Sequence, residues 1–423
     1  MNSALGTKQA IDRNLIRAED IPLGRRVIAL LFVVTGYFFY AWSWNTVDVL
    51  RPYISQALHL NLTQAGSLYS AQALGALIGA VINGQVADRI GRRNALAIVM
   101  VAFGSALLAG IVVQTYAEVL VQRFLLGYFA GSMFPIAVGL YAGLFSSAIR
   151  VRIAGFVFAV YNAAVSLLGA VSAFVFAQHR DWKLLLLAGA APVVLAGLAF
   201  ILVPDDRAMT AFGVEGDTPT ARKLPVRELF AVGVRRQTLL LVLMMGLNFF
   251  AYQAFTGWAT TYLRGPRGLS DSAIGAAIGW QFAGACLGGF LWGWVGDRFG
   301  RRAAAWGFVA AAAFIGVYLY APLSPSALQL AGFGYGVMLS ASVVWGPWLA
   351  ELYPPHLRST AASMYNWGRI VSFMAPLITA AIAEHFGLQA AMGTAAISFL
   401  LSAAIWRSLP ETVVRAAQVP AGC

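Results

Sequence analysis

Three charged side chains fall inside stretches of the chain that are otherwise almost uncharged: Asp48, Arg123 and Arg369. Charge buried in apolar surroundings is costly, so each needs a partner or a task. Arg369 lies eleven residues beyond Arg358, about 16 Å along a helix that rises ~1.5 Å per residue. Tyr365, Asn366, Ser372 and Phe373 occupy the positions three and four residues away, so no acid on the same helix neutralises it. A lone guanidinium in that setting suits a carboxylate, which it holds with two parallel N–H donors. An ion pair with a remote acid, or a cap on a broken helix, are the competing readings.

Asp48 offers proton chemistry. Burial and a nearby guanidinium act on a carboxyl's proton affinity in opposite directions, which makes an Asp48–Arg123 pair a candidate proton-coupling device. Two alternatives stand beside it. Arg51, three residues on, neutralises Asp48 locally, or Asp48 simply reaches outer water. Around these charges, Asn248, Tyr252, Gln253, Gln281, Tyr365 and Asn366 carry groups able to hydrogen-bond a small solute. Tyr37, Tyr40, Trp345 and Trp348 are candidates for apolar walls. Any one of these side chains is more often glue between helices than a ligand contact.

Other chemistries find no support in the sequence. Cys286 and Cys423 have neither disulfide nor metal-site spacing, and no metal or other cofactor is expected. No nucleophile elbow and no phosphate-binding loop is present, so an enzyme is not expected.

The elements that must position these residues follow from composition. Sixty per cent of the 423 residues are hydrophobic and 11% are charged, against roughly a quarter charged in soluble domains. Apolar stretches near the ~20 residues needed to cross a bilayer recur at 27–55, 64–86, 94–114, 118–146, 153–177, 182–203, 238–263, 272–295, 303–322, 326–350, 359–384 and 388–408. They must be helices, because lipid offers the backbone no hydrogen-bond partners and barrel strands would alternate polar with apolar. The net charge of +12 reflects topology and not nucleic acid. Most Lys and Arg fall in the loops of one side, whereas the other holds Arg51, Arg180, Lys183, Arg264 and Arg267. That bias places both termini in the cytoplasm. The first 26 residues contain no removable signal peptide.

The chain also repeats itself. QALGALIGAVINGQVADRIGRR, beginning at Gln72, aligns with QFAGACLGGFLWGWVGDRFGRR, beginning at Gln281, and LFSSAIR ending at Arg150 aligns with LYPPHLR ending at Arg358. Two segments with nearly the same offset indicate a duplicated six-helix unit. The expected organisation is a cytoplasmic segment (1–26), a six-helix bundle (27–203), a central loop (204–236), a second six-helix bundle (237–408) and a tail (409–423). The repeat sets Tyr161 opposite Arg369, so the charge there is not demanded by the duplication, and Tyr161 joins the candidate binding residues. The pairs Gly75/Gly79 and Gly284/Gly288 are read as helix-packing contacts.

The pattern Gly-xxx-Asp-Arg-x-Gly-Arg-Arg, at Gly84–Arg93 and again at Gly293–Arg302, closely resembles the signature of the major facilitator superfamily. The resemblance implies an all-α membrane protein, with twelve transmembrane helices in two pseudo-symmetric six-helix bundles. It implies a gate in which Gly84, Asp88, Arg89 and Arg92, with Asp297, Arg298 and Arg301, latch the cytoplasmic side. The two aspartates would lie near helix starts in the opposite layer. Arg123…Gly127-xxx-Gly131 resembles the helix 4 pattern common in proton-coupled members, and Glu351–Arg358 followed by Tyr365-Asn366-Trp-Gly368-Arg369 is similar to bacterial organic-acid and sialate proton symporters. Pro410-Glu411-Thr412 resembles part of a sugar-porter signature but lacks its Lys-Gly.

Together these imply proton-coupled uptake of a small, monocarboxylate-like organic anion by alternating access. Arg369 would bind the anion, and Asp48 with Arg123 would move the proton. The expected setting is the bacterial inner membrane and the expected state a monomer. A drug or metabolite exporter or antiporter of the same fold is the alternative, and a non-transporting nutrient sensor a remote one.

Overall fold

The computed structural model describes residues 16–178, 181–210, 226–231, 233–353 and 358–412. Eleven helices among them are long and apolar enough to cross a bilayer. In the first half these are α1 (Leu23–Val49), α2 (Leu62–Ile90), α3 (Arg92–Ala109), α4 (Tyr116–Leu144), α5 (Ser147–Ala177) and α6 (Lys183–Leu202). The second half supplies α7 (Arg235–Arg264), α8 (Asp271–Phe299), α9 (Arg301–Tyr320), α10 (Pro325–Leu349) and α12 (Leu388–Ser408). Between the last two runs α11 (Arg358–Phe386), apolar over Ile370–Phe386, which completes twelve. The chain is a multi-pass, mostly helical membrane protein with two hydrophobic cores, each drawn mainly from one set of six helices.

Two faces are distinguished below. The basic face carries the turns around Gly91 and Gly300; the opposite face carries Arg51, Lys183 and Arg264. Four helix starts at the opposite face, those of α2, α4, α8 and α10, are capped by neighbouring polar side chains. Asn61 and Gln64 form a reciprocal capping box at 2.8 and 3.1 Å, Thr115 pairs likewise with Glu118, and Ser270 and Ser324 cap α8 and α10. At the basic face the caps come from far along the chain. Asp206 accepts from the backbone N–H groups of Arg92 and Arg93 at 2.9 and 3.1 Å, and Glu411 from those of Arg301 and Arg302 at 2.9 Å each. A carboxylate there satisfies orphan donors and faces the positive end of the helix dipole. Gly91 (φ 88°) and Gly300 (φ 103°) make the turns that expose those donors, a backbone conformation that disfavours a β-carbon.

The paired glycines do pack helices. A β-carbon on Gly79 would lie 1.8 Å from the Tyr128 carbonyl oxygen of α4, and one on Gly284 2.1 Å from that of Phe333 in α10. The α2–α4 and α8–α10 contacts therefore exist only because those positions lack side chains. Between the halves, α5 packs on α8 and α2 on α11. Ser166 donates to the Gly279 carbonyl at 2.8 Å and Ser70 to that of Phe373 at 2.8 Å. A short parallel pairing, β1 (Ile16–Arg17) with β2 (Met209–Thr210), ties the segment before α1 to the segment after α6.

Candidate functional site

The region between the halves is built on two broken helices. Helix α1 stops at Val49, and a separate helix starts at Arg51 with Pro52 in its first turn. Helix α7 is interrupted by a 3-10 turn at Thr256–Trp258. These breaks let α1 and α7 meet at Asp48. The nearer carboxylate oxygen of Asp48 accepts from Arg51 Nη2 at 2.7 Å and, across the halves, from Gln253 Nε2 at 3.0 Å. Thr260 Oγ1 donates to the Asp48 carbonyl at 2.6 Å. Gly257 permits the approach, since a β-carbon there would stand 2.5 Å from Gln253 Nε2. The Arg51 guanidinium lies over the Trp258 ring, 4.5 Å from its centroid, and Trp258 donates to Thr379 at 2.8 Å.

Arg51, and not Arg123, is thus the ion-pair partner of Asp48. Arg123 instead donates from Nη1 to Thr46 Oγ1 at 2.9 Å, two residues earlier in α1. All three charged groups are buried: Asp48 is 4% exposed, Arg51 0% and Arg123 1%.

Next to this cluster, in α1, α2 and α5, lies a set of aromatic side chains. Tyr37, Tyr40 and Tyr161 pack as a triangle with centroids 5.1, 6.0 and 6.1 Å apart. Trp44 continues the set at 6.0 Å from Tyr40, and Tyr69 meets Trp44 edge-on at 6.1 Å. Asn45 donates to the Tyr161 hydroxyl at 3.0 Å. Tyr252 and Phe373 reach this group from the second half and pack against its core. The result is an aromatic basin shared by both halves.

The other candidates fall in several places. Asn248 is buried, and its side-chain oxygen has no partner among the described residues. Gln281 donates to Thr256 at 3.2 Å, and Thr256 in turn meets Tyr335, all within the second half. Its repeat counterpart Gln72 likewise bonds the Trp44 carbonyl at 2.9 Å, so both act between helices of one bundle. Trp345 and Trp348 belong to the core of the second half, against Trp406, and not to the wall of the basin. The side chains of Asp88, Tyr365, Asn366 and Arg369 lie outside the described residues.

At the basic face, Arg301 clamps Asp297 at 2.6 Å and Glu351 at 2.8 and 3.2 Å. Asp297 lies in the last turn of α8, its side chain 73% exposed, and pairs with Arg301 across the turn at Gly300. Burial by itself would raise the Glu351 carboxyl; the Arg301 fork and the Thr412 hydroxyl outweigh it and hold it below the ordinary range. In the first half, Arg93 pairs with Asp205 at 2.9 Å, and hydrogen bonds from Arg207 pull Asp205 down as well. Arg92 donates to the Gly139 carbonyl at 3.1 Å, Arg89 is exposed, and Arg298 rests over Phe299 at 5.9 Å. Gly84 and Gly293 face open space. Described hydrogen bonds between the halves instead gather in the middle and toward the opposite face, where Thr63 also reaches Glu384 at 2.6 Å.

Missed at first reading were Thr260, Trp258, Asp206 and Glu411. The last two carry a legible signal: Pro204-Asp205-Asp206 and Pro410-Glu411-Thr412 each follow the sixth helix of a half.

Comparison with known proteins agrees with this architecture. The chain is 25% identical over 84% of its length to a cis,cis-muconate transport protein of Acinetobacter baylyi, covering 85% of it. It is 27% identical over 84% of its length to a gallate transporter of Pseudomonas putida, again covering 85%. Its fold matches a bacterial homolog of the human lysosomal transporter Spinster, in an inward-facing and unoccupied conformation, with a TM-score of 0.76 at 15% identity over 92% of this chain and 97% of that one. The Major Facilitator Superfamily model matches residues 33–271 and 263–420. With both halves covered, the duplicated loop motif and the twelve-helix architecture have one account: the chain belongs to the Major Facilitator Superfamily, and it is a transporter and not an enzyme.

Proposed function

We propose that the chain imports a small planar organic acid, monocarboxylate-like, together with protons and by alternating access. The observation that carries this reading is the aromatic basin of Tyr37, Tyr40, Trp44, Tyr69, Tyr161 and Tyr252, set beside the buried Asp48 cluster where the halves meet. Aromatic side chains stack on flat conjugated solutes, and relatives that carry muconate and gallate support a solute of that shape. Midplane placement between the two repeats suits a rocking carrier. Arg369 is assigned to the carboxylate from its position along α11, and Asp48, with Arg51 and Arg123 around it, to the proton. The basic face is assigned to the cytoplasm of a bacterial inner membrane, with both termini there, two bundles at 27–203 and 237–408 joined by 204–236, and a monomeric state.

Uptake of radiolabelled 4-hydroxybenzoate into proteoliposomes under an imposed pH gradient tests it. Acid outside should drive accumulation, and Arg369→Ala should abolish binding. Uptake indifferent to the gradient removes the proton, and full activity in Arg369→Ala removes the anion contact. Resistance to toxic aromatics on overexpression, without acid-driven uptake, points to export instead.

A further inference from the structure

Apart from the basin, the first half encloses a cavity of about 230 Å³ toward the opposite face. Ala57, Leu58, Gln114 and Lys183 form its partly exposed rim, and Gln122 and Arg123 stand at its buried floor. We propose that this cavity binds a small monovalent anion, with Arg123 and Lys183 as its cationic contacts. The inference does not depend on the transport reading.

The argument begins with charge. Two buried guanidiniums, Arg51 and Arg123, stand near one buried carboxylate, Asp48, which pairs with Arg51, so the cluster carries one surplus positive charge in a poorly solvated place. No acidic side chain lines the cavity among the described residues, and Lys183 adds a second cation at its rim. Two acids flank the lining without joining it: Asp181 accepts from the Lys183 backbone N–H at 3.0 Å, and Glu118 accepts from the Gln114 and Thr115 backbone N–H groups at 2.8 and 3.3 Å.

Unmet hydrogen bonding points the same way. Arg123 uses Nη1 on Thr46, while its Nε–H is buried without a partner among the described residues. The Lys183 ammonium makes no hydrogen bond or ion pair among the described residues. Gln122 donates to the Ala106 carbonyl at 2.8 Å, leaving its own oxygen buried and unpaired among the described residues, a position for water that hydrates an anion. A water needs ~30 Å³ in the liquid, so the space accommodates a halide with several waters, or one small carboxylate.

The shared chemistry is a compact monoanion; whether it is inorganic or organic is decided by two arms of one experiment. Thermal unfolding of the purified full chain is followed as chloride replaces lactobionate, an acid too bulky for the cavity, at fixed pH and ionic strength. A second series adds benzoate in lactobionate. Each is repeated on Ala57→Trp, which plugs the rim without altering charge, and on Lys183→Gln. The expected result is a saturable rise in melting temperature with chloride, lost in Ala57→Trp and at least halved in Lys183→Gln. A benzoate rise lost in Ala57→Trp, with no chloride effect, assigns the same cavity to organic carboxylates. Absence of a saturable response to either anion, or a response undiminished by Ala57→Trp, overturns the proposal.

Discussion

Gln253 Nε2, on the broken helix α7, donates across the halves to the Asp48 carboxylate of α1 at 3.0 Å. That oxygen also holds Arg51 at 2.7 Å, so one atom joins an ion pair inside the first half to a hydrogen bond reaching the second. Protonating Asp48 would remove the negative charge that serves both contacts and loosen the halves at this face. Charge-assisted hydrogen bonds are roughly twice as strong as neutral ones.

The first prediction concerns that atom. Asp48→Asn keeps an acceptor for Gln253 but cannot cycle a proton. Uptake driven by an imposed pH gradient should fall at least tenfold, while exchange of labelled for unlabelled solute across the membrane persists. Measuring both in the same proteoliposomes separates coupling from binding. An Asp48→Asn protein still driven by the gradient would falsify the assignment.

Aromatic stacking gives a second expectation. An aromatic pair contributes about 0.5–1.5 kcal/mol beyond its buried area, equivalent to about 2- to 12-fold in affinity. Tyr161→Leu should therefore raise KM for 4-hydroxybenzoate by that factor and leave KM for a short aliphatic acid nearly unchanged. Tyr161 also accepts from Asn45 at 3.0 Å, so Tyr161→Phe separates the ring from the hydroxyl. Retention of the aromatic preference in Tyr161→Leu would count against the basin as the binding surface.

Acid should act on the clamps of the basic face. Glu351 titrates below the ordinary glutamate value of 4.5 in the folded chain. The unfolded chain takes up that proton first, so the clamp's contribution is fully present above about pH 5 and is lost as pH falls through the folded value. Asp205, also held low, works in the same direction in the first half. Thermal unfolding of Glu351→Gln should show a lower melting temperature at neutral pH and a shallower decline below pH 4.5 than the parent. Parallel curves for the two proteins would exclude the clamp.

The twelve spans and the duplication were legible because hydropathy and internal repetition are written directly in residue types. Partner choice at Asp48 was not. It depends on where α1 ends, just before Pro52, and on the 3-10 turn at Thr256–Trp258 around Gly257; these local breaks are marked in the sequence, but which side chains they bring together is decided only when the two halves pack. Arg51 was visible at i+3, but nothing local separates it from Arg123, whose guanidinium turns to Thr46. The hydrogen-bond partner of Gln281 was hidden for a related reason. Its amide type fits a ligand contact, and only the fold shows it bonding Thr256 inside one bundle. The caps from Asp206 and Glu411 lie more than a hundred residues from the donors they satisfy, although the Pro-Asp-Asp and Pro-Glu-Thr segments occupy equivalent ends.

Glycines of one helix supply the sharpest contrast between stability and movement. A methyl at Gly79 would sit 1.8 Å from the Tyr128 carbonyl oxygen, whereas Gly84, five residues on, has nothing within 4 Å. Overpacking typically costs about 1–3 kcal/mol, so Gly79→Ala should lower the melting temperature, and Gly288→Ala, 2.3 Å from the Val337 carbonyl oxygen, should match it. Gly84→Leu and Gly293→Leu should melt like the parent. Their open surroundings belong to a state in which the halves meet toward the opposite face, and alternating access requires the basic-face ends to approach in turn. A bulky side chain at either position would then obstruct that closure, slowing uptake severalfold with little change in affinity measured at equilibrium. Normal turnover in Gly84→Leu and Gly293→Leu would mean that the two halves do not close over these glycines.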